Sequence, residues 1–167
     1  MPEVVVRSAV DSDLPAVTDL YNHYVAATTS TFDLEPVSVE ARRDWFGHYS
    51  PVGRHRLLLA VDGDDLLGYA TSSSFRDRAA YASSVETSVY LDPSAQGCGI
   101  GSRLYDRLLA ELAEEDVHRA YAGIALPNDA SVALHLRFGF HHVGTYSEVG
   151  RKLGRWVDVA WYEREMP

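Results

Sequence analysis

The amino-acid sequence predicts an α/β fold with a mixed central sheet, and three features lead to this prediction. Strand-like and helix-like segments alternate along the 167 residues, as in folds that pack helices on a sheet. The apolar segments Leu57–Val61 and Leu66–Ser74, joined by "DGDD", predict an antiparallel hairpin. A strand–helix–strand unit follows, and we expect its two strands to run parallel, since a helical crossover is the typical connection between parallel neighbours. We expect about seven strands and four helices, in the order β-α-α-β-β-β-α-β-α-β-β.

The N-terminal third contributes one strand and two helices. "VVVRSAV" (Val4–Val10) predicts the first strand, since β-branched residues favour an extended chain. A helix starts after it, with Asp11 or Ser12 as the expected cap, because a short polar side chain accepts from the free N–H groups at a helix start. The loop 28–38 then leads to a second helix at about Val39–Tyr49.

The remaining elements follow from the apolar pattern. "SSVETSVYLD" (Ser83–Asp92) and "RAYAGIAL" (Arg119–Leu126) predict two strands, with a helix between them. That helix carries an apolar residue on each turn, at Ile100, Leu104, Leu108 and Leu112. A short helix ends near Gly139, and the C-terminal part predicts two strands joined around Arg151–Arg155.

Composition argues against several classes of protein. The net charge of −9 disfavours a nucleic-acid partner, since binding one needs positive charge to neutralise phosphates. No apolar stretch approaches the ~20 residues that span a bilayer, the N-terminus lacks the pattern of a signal peptide, and we expect no membrane partner. The lone cysteine, Cys98, permits no internal disulfide, and we expect one cytoplasmic domain over residues 1–167. No metal is expected, because His23, His141 and His142 lack metal-ligand spacing.

A cluster of glycines opens the third helix. "LDPSAQGCGIGSRLYDRLL" (Leu91–Leu109) has Gly97, Gly99 and Gly101 directly before a helical pattern. A helix N-terminus carries free N–H groups and partial positive charge, and glycines let a ligand approach them, which is typical of a phosphate site. Two familiar phosphate loops do not fit: a Walker A loop needs a lysine after its last glycine, and a dinucleotide loop needs a glycine where Ser102 stands.

The motif that fits is Gln96-x-x-Gly99-x-Gly101, directly after the strand-like "VYLDP". It resembles the loop with which GNAT acyltransferases hold the pyrophosphate of acetyl-coenzyme A. "NDASVALHLRFGF" resembles the family's second cofactor segment, in which Asn128 would bond the pantetheine arm. Three longer stretches, "NHYVAATTSTFDLEP", "FRDRAAYASSVETSVYLDPSAQGCGIGSRLY" and "GRWVDVAWYERE", resemble the branch that acetylates phosphinothricin and methionine sulfone or sulfoximine. The resemblance covers the chain from Val4 to Glu165.

The resemblance implies the GNAT fold, acetyl-coenzyme A as co-substrate and a set of residues that bind it. The backbone at Val89–Leu91 would run beside the pantetheine like an added strand, with an N–H near Val89 or Tyr90 facing the thioester oxygen. The expected cofactor-binding residues are Val89, Tyr90, Leu91, Gln96, Gly97, Cys98, Gly99, Ile100, Gly101, Ser102 and Asn128. For Cys98 the alternative is a nucleophile, since a helix N-terminus lowers a thiol pKa.

Glu86 is the expected general base, and His135 the expected acid. Glu86 stands in the otherwise apolar or hydroxyl-bearing "SSVETSVYL", where burial would raise its carboxyl pKa toward the working range, and it matches the position of the base in the resembling branch. Its alternative role is a solvent-facing strand residue. His135 stands where many relatives carry a tyrosine that protonates the departing thiolate, and Tyr105 is a second candidate. The alternatives are a buried histidine bonded to a backbone carbonyl and a tyrosine that only packs.

The resemblance implies a small amino-acid-like acceptor that carries a carboxylate and often a second oxo group. Arginines bind such groups in bidentate fashion, and Arg76 and Arg78 in "FRDRAAY" share one face if the segment is extended. Phe75 or Tyr81 would wall the pocket, and Phe32 matches a substrate-loop position of the branch. The alternative for the two arginines is an exposed loop held by acidic neighbours.

These features predict an N-acetyltransferase that moves the acetyl group of acetyl-coenzyme A directly to the acceptor amine in a ternary complex. Acetylation of a protein N-terminus or of a polyamine is the alternative within the same fold, and a coenzyme-binding module without turnover is the alternative from another class. The arginine pair argues against a polyamine, which needs an acidic pocket. The resemblance also implies a homodimer.

Overall fold

The computed structural model describes residues 3–167, which form a seven-stranded mixed sheet with four α-helices, and the predicted order of elements is confirmed. Residues 1–2 lie outside the described residues. The predicted domain and the N-terminal segment that lacks a signal-peptide pattern both begin there. The strands are β1 Val5–Ser8, β2 Leu57–Asp62, β3 Asp65–Ser74, β4 Ser84–Leu91, β5 Arg119–Ala125, β6 His141–Lys152 and β7 Arg155–Glu165. The helices are α1 Leu14–Ala27, α2 Val39–Phe46, α3 Ile100–Ala113 and α4 Asp129–Arg137.

The strands lie in the order β1-β2-β3-β4-β5-β7-β6. Neighbouring strands are antiparallel except for β4 and β5, which α3 connects. This parallel pair makes the sheet mixed, as the strand–helix–strand pattern predicts. β6 and β7 form a hairpin whose turn residues, Leu153 and Gly154, have φ of +52° and +76°, the backbone that a two-residue hairpin turn favours.

Helices cover both faces of the sheet, and the alternation along β2 shows this directly. Leu58 and Ala60 belong to the apolar cluster that includes α3, whereas the alternate residues Leu57 and Leu59 belong to the cluster that includes α1. α4 packs into the first cluster and α2 into the second. The four apolar residues that the sequence places on one face of α3 are all buried.

Some boundaries differ from the predicted ones. Neither Asp11 nor Ser12 caps α1; both lie in a short 3-10 turn, and the helix begins without a side-chain cap. The Asp13 carboxylate instead binds the Arg7 guanidinium, with Nη1 2.7 Å from Oδ2, and this ion pair lowers the pKa of Asp13. α2 ends at Phe46 rather than near Tyr49.

β4 and β5 are paired over only three positions, from Ser84 with Arg119 to Glu86 with Tyr121. Beyond that point the two strands separate, although β4 stays paired to β3 and β5 stays paired to β7. A gap between neighbouring strands leaves backbone N–H and C=O groups without sheet partners. The gap therefore creates a polar-walled opening in the middle of the sheet. Among the described residues, no helix combines the length and apolar character that crossing a bilayer requires.

Candidate active site

A cleft of about 600 Å³ opens where β4 and β5 separate. Thr87–Leu91 of β4 and Ala122–Ala125 of β5 both line it, so backbone from two strands faces the same space. The start of α4 and the loop after α1 complete the lining. The fold thus brings together around one cleft several of the residues predicted from sequence, namely Val89, Tyr90, Leu91, Gln96, Gly97, Asn128 and His135.

The glycine loop turns sharply just before α3. Gly97 and Gly99 have φ of +74° and +78°, a left-handed conformation that residues with a side chain rarely adopt. Gly99 is the N-cap of α3, and a Cβ built on either glycine would meet no atom within 4 Å. The loop therefore keeps open space in front of the free N–H groups of α3, which is what a bound phosphate requires.

The other predicted loop residues differ in what they offer a ligand. Ile100 and Gly101 are buried, so only their backbone can contribute. Cys98 is exposed on the loop. Gln96 lies beside α1, where its Nε2 donates to the Tyr24 hydroxyl at 3.3 Å. Ile100 and Gly101 can therefore bind a ligand only through their backbone, whereas the side chains of Gln96 and Cys98 are accessible.

Two arginines beside this loop were not predicted from the sequence. Arg137, at the end of α4, donates from Nη1 to the Ser102 hydroxyl at 3.3 Å. Arg103, in the first turn of α3, donates to the Val4 carbonyl at 2.6 Å. Both side chains are exposed and add positive charge near the N-terminus of α3. No local signal reveals the first contact, because its partners are 35 residues apart and meet only through the packing of α4 beside α3.

Asn128 begins α4 and lines the cleft. Its Oδ1 accepts from the Ser131 N–H at 3.2 Å, which caps the helix. The amide nitrogen makes no hydrogen bond within the described residues and can donate to a ligand in the cleft. One side chain therefore serves both the helix start and the candidate site.

His135 and Tyr105 form a buried hydrogen-bonded pair. The His135 ring lies 2.7 Å from the Ser131 carbonyl at Nδ1 and 2.8 Å from the Tyr105 hydroxyl at Nε2. Because a carbonyl oxygen only accepts, Nδ1 carries the ring proton and Nε2 accepts from the tyrosine. Burial lowers the pKa of His135 and raises that of Tyr105, so both side chains are neutral near pH 7. His135 lines the cleft, and Tyr105 also lies 3.2 Å from Thr87 Oγ1.

Glu86 occupies the last paired position of β4 before the strands separate. It is half-buried, and burial raises the pKa of its carboxyl, an effect that the nearby positive charge of Arg76 opposes. It shares a face of the sheet with its β3 partner Ser73 and with Ser88. Glu86 does not itself line the cleft, but the next residue, Thr87, does. A half-buried carboxyl with a raised pKa next to a cleft-lining residue is a suitable general base.

An aromatic cluster lies beside Glu86 on the β5 side. Phe75 stacks on Tyr121 with ring centroids 4.4 Å apart, and it also contacts the rings of Tyr81 and Trp161 edge-on. The Arg76 guanidinium lies 4.2 Å from the Phe75 ring centroid. Phe75 and Tyr81 thus belong to one cluster, although neither lines the cleft.

The segment that carries Arg76 and Arg78 is not extended, so the condition for their expected alignment on one face is not met. The chain bends after β3 and enters a 3-10 turn at Ala79–Tyr81, so strand alternation does not apply to Arg76 and Arg78. Arg76 lies over Phe75, whereas Arg78 is exposed and forms neither a hydrogen bond nor an ion pair within the described residues. In the part of the chain that the structure describes, neither side chain forms an ion pair with an acidic neighbour, although the charge of Arg76 acts on Glu86.

Phe32 lies away from the cleft lining. Its ring packs so closely over Gly150 of β6 that an added Cβ would clash with the ring. The surrounding loop is fixed by Lys152, whose Nζ donates to the Thr31 carbonyl at 2.7 Å, and by Arg155, whose Nη2 donates to Thr29 Oγ1 at 3.0 Å. The β6–β7 hairpin therefore positions the loop that contributes to the cleft.

A second, smaller cavity of about 270 Å³ lies on the face of the sheet that carries Glu86. Its lining includes aromatic residues, Asp33 and the buried Arg42. Ser88 and Tyr90 line both the cleft and this second cavity, so the two meet at β4. Sequence reasoning missed this cavity, because its walls come from α1, α2, β3 and β4. Among the described residues, no group of three His, Cys, Asp or Glu side chains is placed to hold a metal ion.

Comparisons with known proteins point to one family. A model of the acetyltransferase (GNAT) family matches residues 17–140. The chain is 59% identical over 166 residues to the phosphinothricin N-acetyltransferase of Streptomyces coelicolor, which covers 98% of this chain and 97% of that protein. It is 32% identical over 158 residues to the L-methionine sulfoximine/L-methionine sulfone acetyltransferase of Pseudomonas aeruginosa, covering 95% of this chain and 92% of that protein.

A solved structure shows the same fold. The phosphinothricin acetyltransferase of Sinorhizobium meliloti, solved in complex with acetyl-coenzyme A, superposes with a TM-score of 0.91 at 32% identity, covering 98% of this chain and 88% of that one. The matched family span, the extent of the sequence identity and the shared fold lead to one conclusion. This chain belongs to the GNAT acetyltransferase family.

Proposed function

We propose that this protein transfers the acetyl group of acetyl-coenzyme A to the primary amine of a small amino-acid acceptor of the phosphinothricin, methionine sulfone or methionine sulfoximine type. The observation that carries the proposal is the position of Glu86, which ends the β4–β5 pairing directly before Thr87, the first β4 residue that lines the cleft. The 59% identity to a phosphinothricin N-acetyltransferase supports this acceptor class.

The residues present suit acetyl-coenzyme A. The α3 N-terminus and the open space at Gly97 and Gly99 would hold the pyrophosphate, with Arg137 adding positive charge. The separated strands offer backbone N–H and C=O groups at Val89–Leu91 to the amide groups of the pantetheine arm, and Asn128 offers its amide nitrogen. The coenzyme supplies the thioester, whose carbonyl carbon the amine attacks.

In our proposal Glu86 takes the proton that the ammonium must lose before it can attack. The Glu86 carboxyl is ionised above its raised pKa and can then accept this proton. An N–H at Val89 or Tyr90 would stabilise the oxyanion of the tetrahedral intermediate, because backbone donors fixed in a strand need no reorganisation. Attack is direct, in a ternary complex.

The departing thiolate needs a proton, and we assign this step to the His135–Tyr105 pair. His135 is the member that lines the cleft, and its Nε2 accepts from the Tyr105 hydroxyl. Since the ring is neutral, the departing sulfur would take the Nδ1 proton of His135 while Nε2 takes the hydroxyl proton of Tyr105. The Tyr105 phenolate would regain a proton from solvent after the products leave. The remaining predicted groups, Arg76, Arg78, Phe75, Tyr81 and Phe32, are proposed to bind the acceptor side chain.

The test is release of coenzyme A thiol from acetyl-coenzyme A. L-Phosphinothricin and L-methionine sulfoximine serve as acceptors, with spermidine and a short peptide as controls. Rapid release with either amino acid is expected. Release with the controls alone would keep an acetyltransferase but overturn the acceptor class, and tight coenzyme binding without release for any amine would overturn the proposed activity.

We also propose that two copies of the chain pair as a homodimer through β6 and β7. β6 is an edge strand, and the hairpin exposes large apolar side chains, namely Val143, Tyr146, Val149, Leu153 and Trp156. An apolar edge of this size favours pairing with another chain. Light scattering after size exclusion should give twice the chain mass, and Trp156→Glu should reduce it; a monomer at micromolar concentration would refute the dimer. We further propose that residues 1–167 form one domain and that the protein acts in the cytoplasm, where an exposed thiol such as Cys98 stays reduced.

A further inference from the structure

The second cavity contains a buried arginine, Arg42, that no acidic side chain of the described residues neutralises. Arg42 of α2 is 7% exposed, and its Nε and Nη2 atoms are buried without a hydrogen-bond partner. Its guanidinium lies 4.1 Å from the ring centroid of Tyr21 and 3.6 Å from that of Trp45. A buried charge is costly unless an opposite charge or several hydrogen bonds compensate it.

The protein supplies only part of that compensation. Aromatic faces attract a cation, but more weakly than an anion does. No ion pair joins Arg42 to a carboxylate within the part of the chain that the structure describes. Asp33 lines the same cavity, yet its carboxylate accepts the Tyr21 hydroxyl instead. The cavity therefore contains a guanidinium that an anionic ligand can still complete.

The cavity lies where an acceptor would have to bind. Ser88 and Tyr90 line both this cavity and the cleft that we assign to the coenzyme. Glu86 is on the same face of β4 as Ser88, and its β3 partner Ser73 lines the cavity as well. A ligand whose amine lies at Ser88, within reach of Glu86, can therefore extend from there toward Arg42.

We propose that Arg42 binds the α-carboxylate of the amino-acid acceptor in this second cavity. This assignment rests on the proposed function. It adds that the α-carboxylate and the oxo group of the acceptor bind at two different places. The α-carboxylate and the amine share one carbon, so a carboxylate on Arg42 holds the amine near β4. Arg76, on the β5 side of Glu86, is then free for the oxo group of the acceptor side chain.

The test compares acceptors with and without the carboxylate. L-Methionine sulfone and its decarboxylated analogue, 3-(methylsulfonyl)propylamine, are acetylated by wild type and by Arg42→Gln and Arg42→Lys. Arg43→Gln is the matched control, because Arg43 is the neighbouring arginine of α2 and is exposed, where it binds Glu40. Thermal melting of each variant shows whether the protein is folded.

Arg42→Gln should raise the KM for L-methionine sulfone at least tenfold, with the KM for acetyl-coenzyme A unchanged. The decarboxylated analogue should react equally with wild type and Arg42→Gln, Arg42→Lys should recover part of the loss, and Arg43→Gln should behave as wild type. An unchanged KM in folded Arg42→Gln, or an equal loss for both acceptors, would overturn the proposal.

Calorimetry separates failure of this proposal from failure of the proposed function. L-Methionine sulfone is titrated into wild type and Arg42→Gln, each saturated with coenzyme A. If wild type shows no turnover but binds the amino acid at least tenfold more tightly than the variant, the transfer activity fails and the Arg42 site stands. If the two proteins bind it equally, or wild type does not bind it, the Arg42 site fails.

Discussion

Glu86 and Tyr121 are partners at the last position where β4 and β5 are paired, and the strands separate directly beyond them. The pairing fixes the backbone of Glu86 at the edge of the gap that forms the cleft. The same position half-buries it, which raises its pKa. The topology that opens the cleft thus also prepares the candidate base.

Replacing Glu86 by Gln should lower kcat/KM for the acceptor about 10²-fold near pH 7, the usual worth of a general base. The loss should shrink toward pH 9, because more of the amine is then already deprotonated. Wild-type activity should rise with pH as the Glu86 carboxyl ionises. Initial rates from pH 5.5 to 9.5 measure this, with Glu114→Gln, an exposed glutamate of the same chemistry, as control. A full rate across pH would remove Glu86 from the mechanism.

The same substitution should stabilise the folded protein at neutral pH. A carboxyl whose pKa is raised on folding favours the folded state below its unfolded pKa, and this contribution is lost as pH rises through the folded pKa. Glutamine avoids that loss because it does not ionise. Thermal melting should therefore show a higher Tm for Glu86→Gln than for wild type at pH 7, and equal values near pH 4. A lower Tm at pH 7 would mean that the ionised carboxylate is well solvated or paired.

Gly99→Ala should weaken coenzyme binding at least tenfold. An added Cβ meets no protein atom but occupies the space in front of α3, where the pyrophosphate is proposed to bind. The left-handed backbone at position 99 also lowers the stability of a protein with a side chain there by roughly 1–2 kcal/mol. Gly63→Ala is the matched control, since Gly63 also has positive φ and open space around it but lies in the β2–β3 turn. Equal coenzyme affinity in both variants, measured by calorimetry, would place the pyrophosphate elsewhere.

Tyr105→Phe should lower kcat at least tenfold and leave the KM for acetyl-coenzyme A unchanged. The change removes the hydroxyl that bonds to His135 Nε2, and leaving a buried acceptor unpaired costs about 1–3 kcal/mol of stability. Steady-state kinetics and denaturant unfolding measure the two effects. Tyr162→Phe, which removes a hydroxyl from a buried tyrosine of β7, is the control. Lost stability with an unchanged kcat would make the pair structural.

The apolar pattern by itself determined the order of elements, because strand and helix periodicities are local properties of the chain. The cluster of glycines by itself indicated the loop before α3. Gly97 and Gly99 adopt the positive φ for which glycine is suited. The β-branched and aromatic segment Ser83–Asp92 predicted the strand, and the charge of Glu86 within that segment indicated a functional residue. These features depend on residues close together in the sequence.

The tertiary structure decided what packing brings together. Only the fold shows that β4 and β5 separate after Glu86, because strand pairing depends on long-range register. Three contacts depend on the tertiary structure, because each joins residues of different elements. They are the hydrogen bond of Tyr105 with His135, that of Arg137 with Ser102, and the packing of Arg42 against Tyr21. The local pattern of apolar and polar residues specifies which segments are helices and strands. How those elements pack determines which side chains share a site.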